Sequence, residues 1–177
     1  MRNEKVAIFN YEVPEFIVYF YFCKIQTNYM SSYRQIIYQI IIGTNKHLLT
    51  IKEEYCEELY KYIWGVIKNK NCKLYRINGV ENHIHILSDL HPSIALADYI
   101  KDIKVASSIW MKETGKFPKF ESWQVGYGAF TYSIREKDIL IDYIKNQKEH
   151  HKRESFRDEY MQILRENGIE FDERYLV

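Results

Sequence analysis

From residue 33 onward the apolar residues change period in a fixed order, and that order limits the fold more than any single residue does. Residues 33–43 (YRQIIYQIIIG) are β-branched and aromatic and end in glycine, as a buried strand does. Thr50 then caps a helix over 51–69, where Ile51, Tyr55, Leu59, Tyr62 and Val66 step by three and four along one stripe. Segments 72–80 and 83–90 read as two strands joined by a short turn. Ser93 caps a helix over 94–114, closed by Gly115 and Pro118. Segment 122–133 reads as a fourth strand, in which Gly126 and Gly128 mark a bulge or a close backbone approach. Helices over 138–153 and 155–167 follow, the second ended by Gly168. This succession predicts an α+β protein: a ferredoxin-like βαββαβ antiparallel sheet with the first and third strands central, two helices on one face, and two additional C-terminal helices. The second face is left for those helices or for a ligand.

Composition excludes other classes. The chain has 177 residues, 46% of them apolar, with 16 Tyr and 9 Phe, too apolar for a disordered chain. The longest apolar run, 16–23, is eight residues. A membrane-spanning helix needs about 20. Cys23, Cys56 and Cys72 are odd in number and show no paired spacing. That usage fits a reduced, cytoplasmic protein without a disulfide framework or zinc ribbon. The net charge of +1 is unevenly spread: 30–153 carries 19 Lys/Arg against 14 Asp/Glu, whereas 154–177 carries 3 against 7. A basic middle is compatible with a polyanionic partner, and equally with a solvated surface. Residues 1–29 show no clean period and read as an N-terminal extension, with Met30 as an alternative start to the working unit. The expected division is therefore 1–29, a main domain over 30–153, and a C-terminal helix with acidic tail over 154–177.

Two short patterns carry candidate chemistry. On the third strand, period-2 alternation turns His83 and His85 to one face and Ile84 and Ile86 to the other. Two imidazoles so placed can share one metal ion, although His-x-His alone is a weak signal. On the helix after the fourth strand, Tyr143 and Gln147 stand at i and i+4 and share a face with Ile139, Leu140, Ile144 and His150. A docking stripe holding a Tyr and a Gln buries polar groups that need partners. If that helix covers the open sheet face, His83, His85 and Gln147 form a three-ligand metal site beside the Tyr143 hydroxyl. Tyr127 and Tyr132 are weaker candidate nucleophiles, having no ligand one turn away. His150 reads mainly as a helix C-terminal residue. On the helix over 94–114, Lys101, Lys104 and Lys112 lie opposite an apolar stripe of Leu96, Tyr99, Ile103, Ala106 and Trp110. Such a row can track DNA phosphates or simply be solvated.

The segment NHIHIL (82–87), followed by Tyr143…Gln147, resembles the single-tyrosine HUH transposases of small insertion sequences, to which REP-associated tyrosine transposases are related. WQVGYGAF (123–130) and ENGIEFDERYL (166–176) are also similar to that family, and the resemblance covers 30–177. It implies that 30–153 is the catalytic domain and that Tyr143 cleaves single-stranded DNA through a 5′-phosphotyrosine intermediate. It implies a divalent cofactor, Mg²⁺ or Mn²⁺, hairpin-ended single-stranded DNA as partner, no membrane, and a homodimer. Two features depart from the pattern: residues 1–29, and a segment 129–138 lacking the glycine that often makes the tyrosine helix mobile. Because ligating imidazoles must be neutral, activity is expected to fall below about pH 6. The alternatives are a non-catalytic single-stranded nucleic-acid-binding module on the same sheet, and a metal-dependent hydrolase of small phosphoesters in which Tyr143 is incidental.

Overall fold

A computed structural model describes residues 33–176, so the boundary expected between 29 and 30 lies outside the described residues. The elements follow the expected order: β1 (Ile37–Gly43), α1 (Cys56–Asn69), β2 (Leu74–Val80), β3 (His83–Ser88), α2 (Leu96–Glu113), β4 (Gly128–Tyr132), then α3 (Lys137–Lys145), α4 (Gln147–His150) and α5 (Phe156–Glu166). The four strands form one sheet in the order β2-β3-β1-β4, every neighbouring pair antiparallel, with β1 and β3 central. None of the helices among the described residues is long and apolar enough to cross a membrane.

Strand alternation decides what each sheet face meets. Ile40 and Ile42 of β1 and Ile84 and Ile86 of β3 pack with Leu59, Ile63 and Ile67 of α1 and Tyr99, Ile103 and Met111 of α2. The opposite face presents Ile37, Gln39 and Ile41 from β1 and His83, His85 and Leu87 from β3. Leu140 and Ile144 of α3 pack on Ile37 and Leu87. Phe156, Ile163 and Leu164 of α5 pack on Ile41 and Phe130. Burying an aliphatic side chain of this size contributes about 1.5–3 kcal/mol, so these contacts hold the C-terminal helices against the histidine-bearing face. Both faces are therefore covered, which is why β3 is buried at every position.

Several local expectations are corrected. Thr50 does not cap a helix. Its backbone N–H and that of Ile51 donate to Glu81 O (2.9 and 2.8 Å), holding the segment extended against the β2–β3 turn. The helix starts later, after a 3₁₀ turn at Glu53–Tyr55, and buries Cys56, Leu59, Ile63 and Ile67. Ser93 does not cap α2 either, because its hydroxyl pairs with His91 Nδ1 at 2.7 Å. The fourth strand is shorter than expected, being regular only over Gly128–Tyr132. Of its two glycines, Gly128 meets the close-approach expectation, since a Cβ there would come within 2.9 Å of the Tyr160 ring, whereas Gly126 stands in open space. The helix expected over 138–153 is broken at Asn146 into α3 and α4. Gly115 and Gly168 end α2 and α5 as expected, at φ +66° and +65°, in the left-handed region that glycine adopts without penalty.

Candidate active site

β3 places His83 and His85 side by side on the covered face, both fully buried. Their outer nitrogens have fixed partners: His83 Nδ1 lies 2.7 Å from Asn82 Oδ1, and the Gln39 amide nitrogen donates to His85 Nδ1 at 3.1 Å. Both Nε2 atoms therefore point inward, and each lies 3.5 Å from Glu159 Oε2. Glu159 is 2% exposed and comes from the first half of α5, where the stripe of Phe156, Tyr160, Ile163 and Leu164 is otherwise apolar. A buried carboxylate is costly unless it is paired, and this one is ringed by imidazoles.

The helix break at Asn146 does not disrupt the Tyr143…Gln147 register, because backbone bonds from Asn146 to Asp142 O (3.1 Å) and from His150 to Asn146 O (3.0 Å) continue through it. Tyr143 Oη donates to Glu159 Oε1, and the Gln147 amide nitrogen donates to the same oxygen at 2.8 Å. His151, one further turn along that face, brings its Nε2 to 3.1 Å from Glu159 Oε2, 3.1 Å from His83 Nε2 and 2.9 Å from Gln147 Oε1. His150 stands at the rim, 3.0 Å from Glu154 Oε2 and 3.7 Å from Glu159 Oε1. The structure thus gathers Tyr143, His83, His85 and Gln147 around one carboxylate. Sequence reasoning missed that carboxylate and His151. The available signals were an acidic residue interrupting the apolar stripe of α5, and a third member of the i+4 series 143, 147, 151.

Electrostatics follow from burial. Desolvation holds the His83 ring neutral, with its pKa lowered to about 3. Burial alone would raise the Glu159 carboxyl, but His151, His83 and His85 outweigh it and hold the group well below the usual carboxylate range. Burial lowers the His151 ring less than Glu159 raises it, so its pKa lies above the ordinary imidazole value. Burial first, and then ionised Glu159, push the Tyr143 phenol well above its ordinary value. A cavity of ≈ 280 Å³ borders the phenol, lined in part by Gln39, Tyr132, Tyr143, His150 and Glu159.

The donor set fits a divalent metal. One ligand atom from each of His83, His85, His151 and Glu159 lies within 4.8 Å of the others, and Glu159 Oε2 and His85 Nε2 are buried with no hydrogen-bond partner. The lysines predicted to meet DNA divide. Lys101 and Lys112 are exposed on α2. Lys104 instead holds the loop before β4, donating to the backbone oxygens of Gln124 (2.5 Å), Val125 (3.0 Å) and Gly126 (3.2 Å). Tyr127 lies before β4 and Tyr132 at its end, where it lines the same cavity as Tyr143.

An antiparallel four-stranded sheet with paired imidazoles on a central strand, covered by a helix that carries a tyrosine, defines an α+β protein in which a tyrosine meets a cluster able to hold a metal ion. The sequence gives the family: residues 32–147 match the model for IS200-like transposases, and the chain belongs to that family. Membership places it among proteins that cleave and rejoin DNA in the broad sense. A solved protein of Deinococcus radiodurans R1, assigned as a transposase, shares the fold with TM-score 0.53 at 21% identity, over 67% of this chain and 95% of its own. A REP-associated tyrosine transposase, solved bound to a REP hairpin, aligns at TM-score 0.49 and 17% identity over 69% of this chain and 74% of its own. No curated protein matches the sequence.

Proposed function

We propose that the chain is a single-stranded DNA endonuclease and strand transferase of the HUH tyrosine type, with Tyr143 as nucleophile. Tyr143 Oη attacks a DNA phosphorus, the Oη–P bond forms, and the P–O3′ bond breaks. The products are a 5′-phosphotyrosine ester and a free 3′-OH. In the second step a 3′-OH attacks the same phosphorus and the phenolate leaves, so rejoining needs no external energy source. His83, His85 and Gln147 hold the divalent cation, which supplies positive charge to the scissile phosphate and favours the phenolate. Glu159 accepts the Tyr143 hydrogen bond and fixes the Oη position. Lys101 and Lys112 track phosphates along the exposed side of α2, and Lys104 positions the loop before β4. The partner is single-stranded DNA with hairpin ends, and the working form is a cytoplasmic homodimer, as the sequence resemblance implies.

The observation that carries this reading is the meeting of the Tyr143 hydroxyl and the inward Nε2 atoms of His83 and His85 at one carboxylate, Glu159. The test is incubation of the protein with labelled hairpin-flanked single-stranded DNA and Mn²⁺, followed by a denaturing gel. The wild type is expected to give a covalent protein–DNA band, which Tyr143→Phe abolishes and His83→Ala reduces at least about 100-fold. Binding without any adduct would point to the non-catalytic module. Turnover without an adduct, unchanged in Tyr143→Phe, would point to a phosphoester hydrolase.

A further inference from the structure

We propose that His151 and Glu159, in place of Gln147, are direct metal ligands, completing with His83 and His85 a three-imidazole, one-carboxylate site suited to a first-row transition dication rather than Mg²⁺. The proposal deepens the reading above, and rests on it for the presence of a cation in this site.

The hydrogen-bond directions carry the argument. His151 Nδ1 lies 3.0 Å from the backbone oxygen of Glu154, which only accepts, so Nδ1 bears the hydrogen. When the ring is neutral, its Nε2 lone pair then faces the cluster. That lone pair meets only acceptors: Gln147 Oε1 at 2.9 Å, His83 Nε2 at 3.1 Å and Glu159 Oε2 at 3.1 Å. His83 is held the same way, through Nδ1 on Asn82 Oδ1. Outer-nitrogen partners of this kind fix the orientation of metal-bound histidines. His85 Nε2 and Glu159 Oε2 are buried without a hydrogen-bond partner, whereas a dication at the centre serves all four ligand atoms, with the Gln39 carboxamide turned so that its oxygen accepts from His85 Nδ1.

Spacing and chemistry agree. Bonds of about 2.0–2.1 Å in a tetrahedral site place the ligand atoms about 3.3–3.4 Å apart. Four of the six separations are close to this, 3.5 Å from Glu159 Oε2 to both His83 and His85 and 3.1 Å from His151 to both Glu159 and His83, and all six lie within 4.8 Å. Imidazole suits zinc-class and neighbouring transition ions, whereas Mg²⁺ selects oxygen ligands and water. Three nitrogens and one carboxylate oxygen therefore disfavour Mg²⁺. Glu159 also joins the ligand set to the nucleophile, because its second oxygen receives the Tyr143 and Gln147 hydrogen bonds.

The experiment is titration of the full-length, metal-stripped chain with Co²⁺, read by visible absorption and calorimetry, with Mg²⁺ titrated in parallel. One Co²⁺ per chain is expected, with the intense bands of low-coordinate Co²⁺ and with Mg²⁺ binding at least about tenfold weaker. His151→Ala and Glu159→Gln are each expected to weaken Co²⁺ binding about 10- to 100-fold and to shift the bands. The wild type loaded with Mn²⁺ and examined by pulsed electron paramagnetic resonance needs no variant, and is expected to show three coordinated imidazole nitrogens even if a variant fails to fold. Two nitrogens, or folded variants with unchanged affinity and spectrum, would overturn the proposal while leaving Tyr143 adduct formation untouched. A wild type that binds no Co²⁺ would overturn it together with metal assistance, and a Tyr143-dependent adduct formed in chelator would then separate the two failures.

Discussion

At Glu159 the two oxygens of one carboxylate face different groups. Oε2 looks toward three imidazoles, and Oε1 receives the phenol and the amide. The metal-free site should consequently be acid-labile. His83 is neutral when folded, with its pKa lowered from 6.5 to about 3 mainly by burial. The unfolded chain takes up that proton below about pH 6.5 and the folded chain does not, so stability falls as pH drops through this window. Glu159, also depressed, works in the same direction once pH falls below its unfolded value of 4.5. His151 is raised, so its contribution is complete below 6.5 and is lost only as pH rises through its folded value. Urea unfolding of the apo chain between pH 5.5 and 4.5 is expected to show about 1.4 kcal/mol lost per pH unit from the His83 ring. A folded His83→Gln variant should lose that part of the slope, and an unchanged slope would contradict a neutral His83. The pair His83/His85 and the pair Tyr143/Gln147 were legible from periods of 2 and 3.6. Glu159 was not, because a carboxylate in an acidic tail reads as solvated charge until packing shows it inside.

Among the elements, α3 is clamped to the sheet by more than its aliphatic residues. Asn78 Nδ2 on β2 donates to Ile144 O and Lys145 O, both at 3.0 Å, securing the C-terminal turn that carries Tyr143. Asn78→Ala is expected to cost about 1–2 kcal/mol of stability. It should also lower the rate of adduct formation, with Co²⁺ affinity changed less than that rate. A glycine on the same strand is less forgiving. A Cβ at Gly79 would lie 2.2 Å from His83 O and 2.7 Å from Ile84 Cα, both backbone atoms of β3. Gly79→Ala should therefore destabilise by about 3 kcal/mol or more in thermal unfolding, and displace His83. The order of strands and helices was readable from hydrophobic period alone. The helix starts were not: Thr50 and Ser93 have the chemistry of caps, but a neighbouring carbonyl claims the Thr50 backbone N–H and a neighbouring imidazole claims the Ser93 hydroxyl.

For the whole molecule, the sheet between two helical layers places the phenol and the imidazoles together within a single chain. This arrangement predicts completion of the site within one chain. Mixing inactive Tyr143→Phe with inactive His83→Ala protein is therefore expected to restore no adduct, whereas recovery toward the statistical fraction of mixed dimers would show completion in trans. The C-terminal segment is part of this arrangement, since α5 supplies both the apolar contacts that hold the cover and the Glu159 carboxylate. The sequence division at 153/154 followed charge, and charge does not report which acidic residue turns inward.

Which atom takes the DNA decides between Tyr143 and every other nucleophile. Digestion of the covalent adduct and mass spectrometry of the DNA-linked peptide should find the phosphate on Tyr143 alone. Attachment to Tyr127 or Tyr132, or cleaved DNA with no linked peptide, would contradict it.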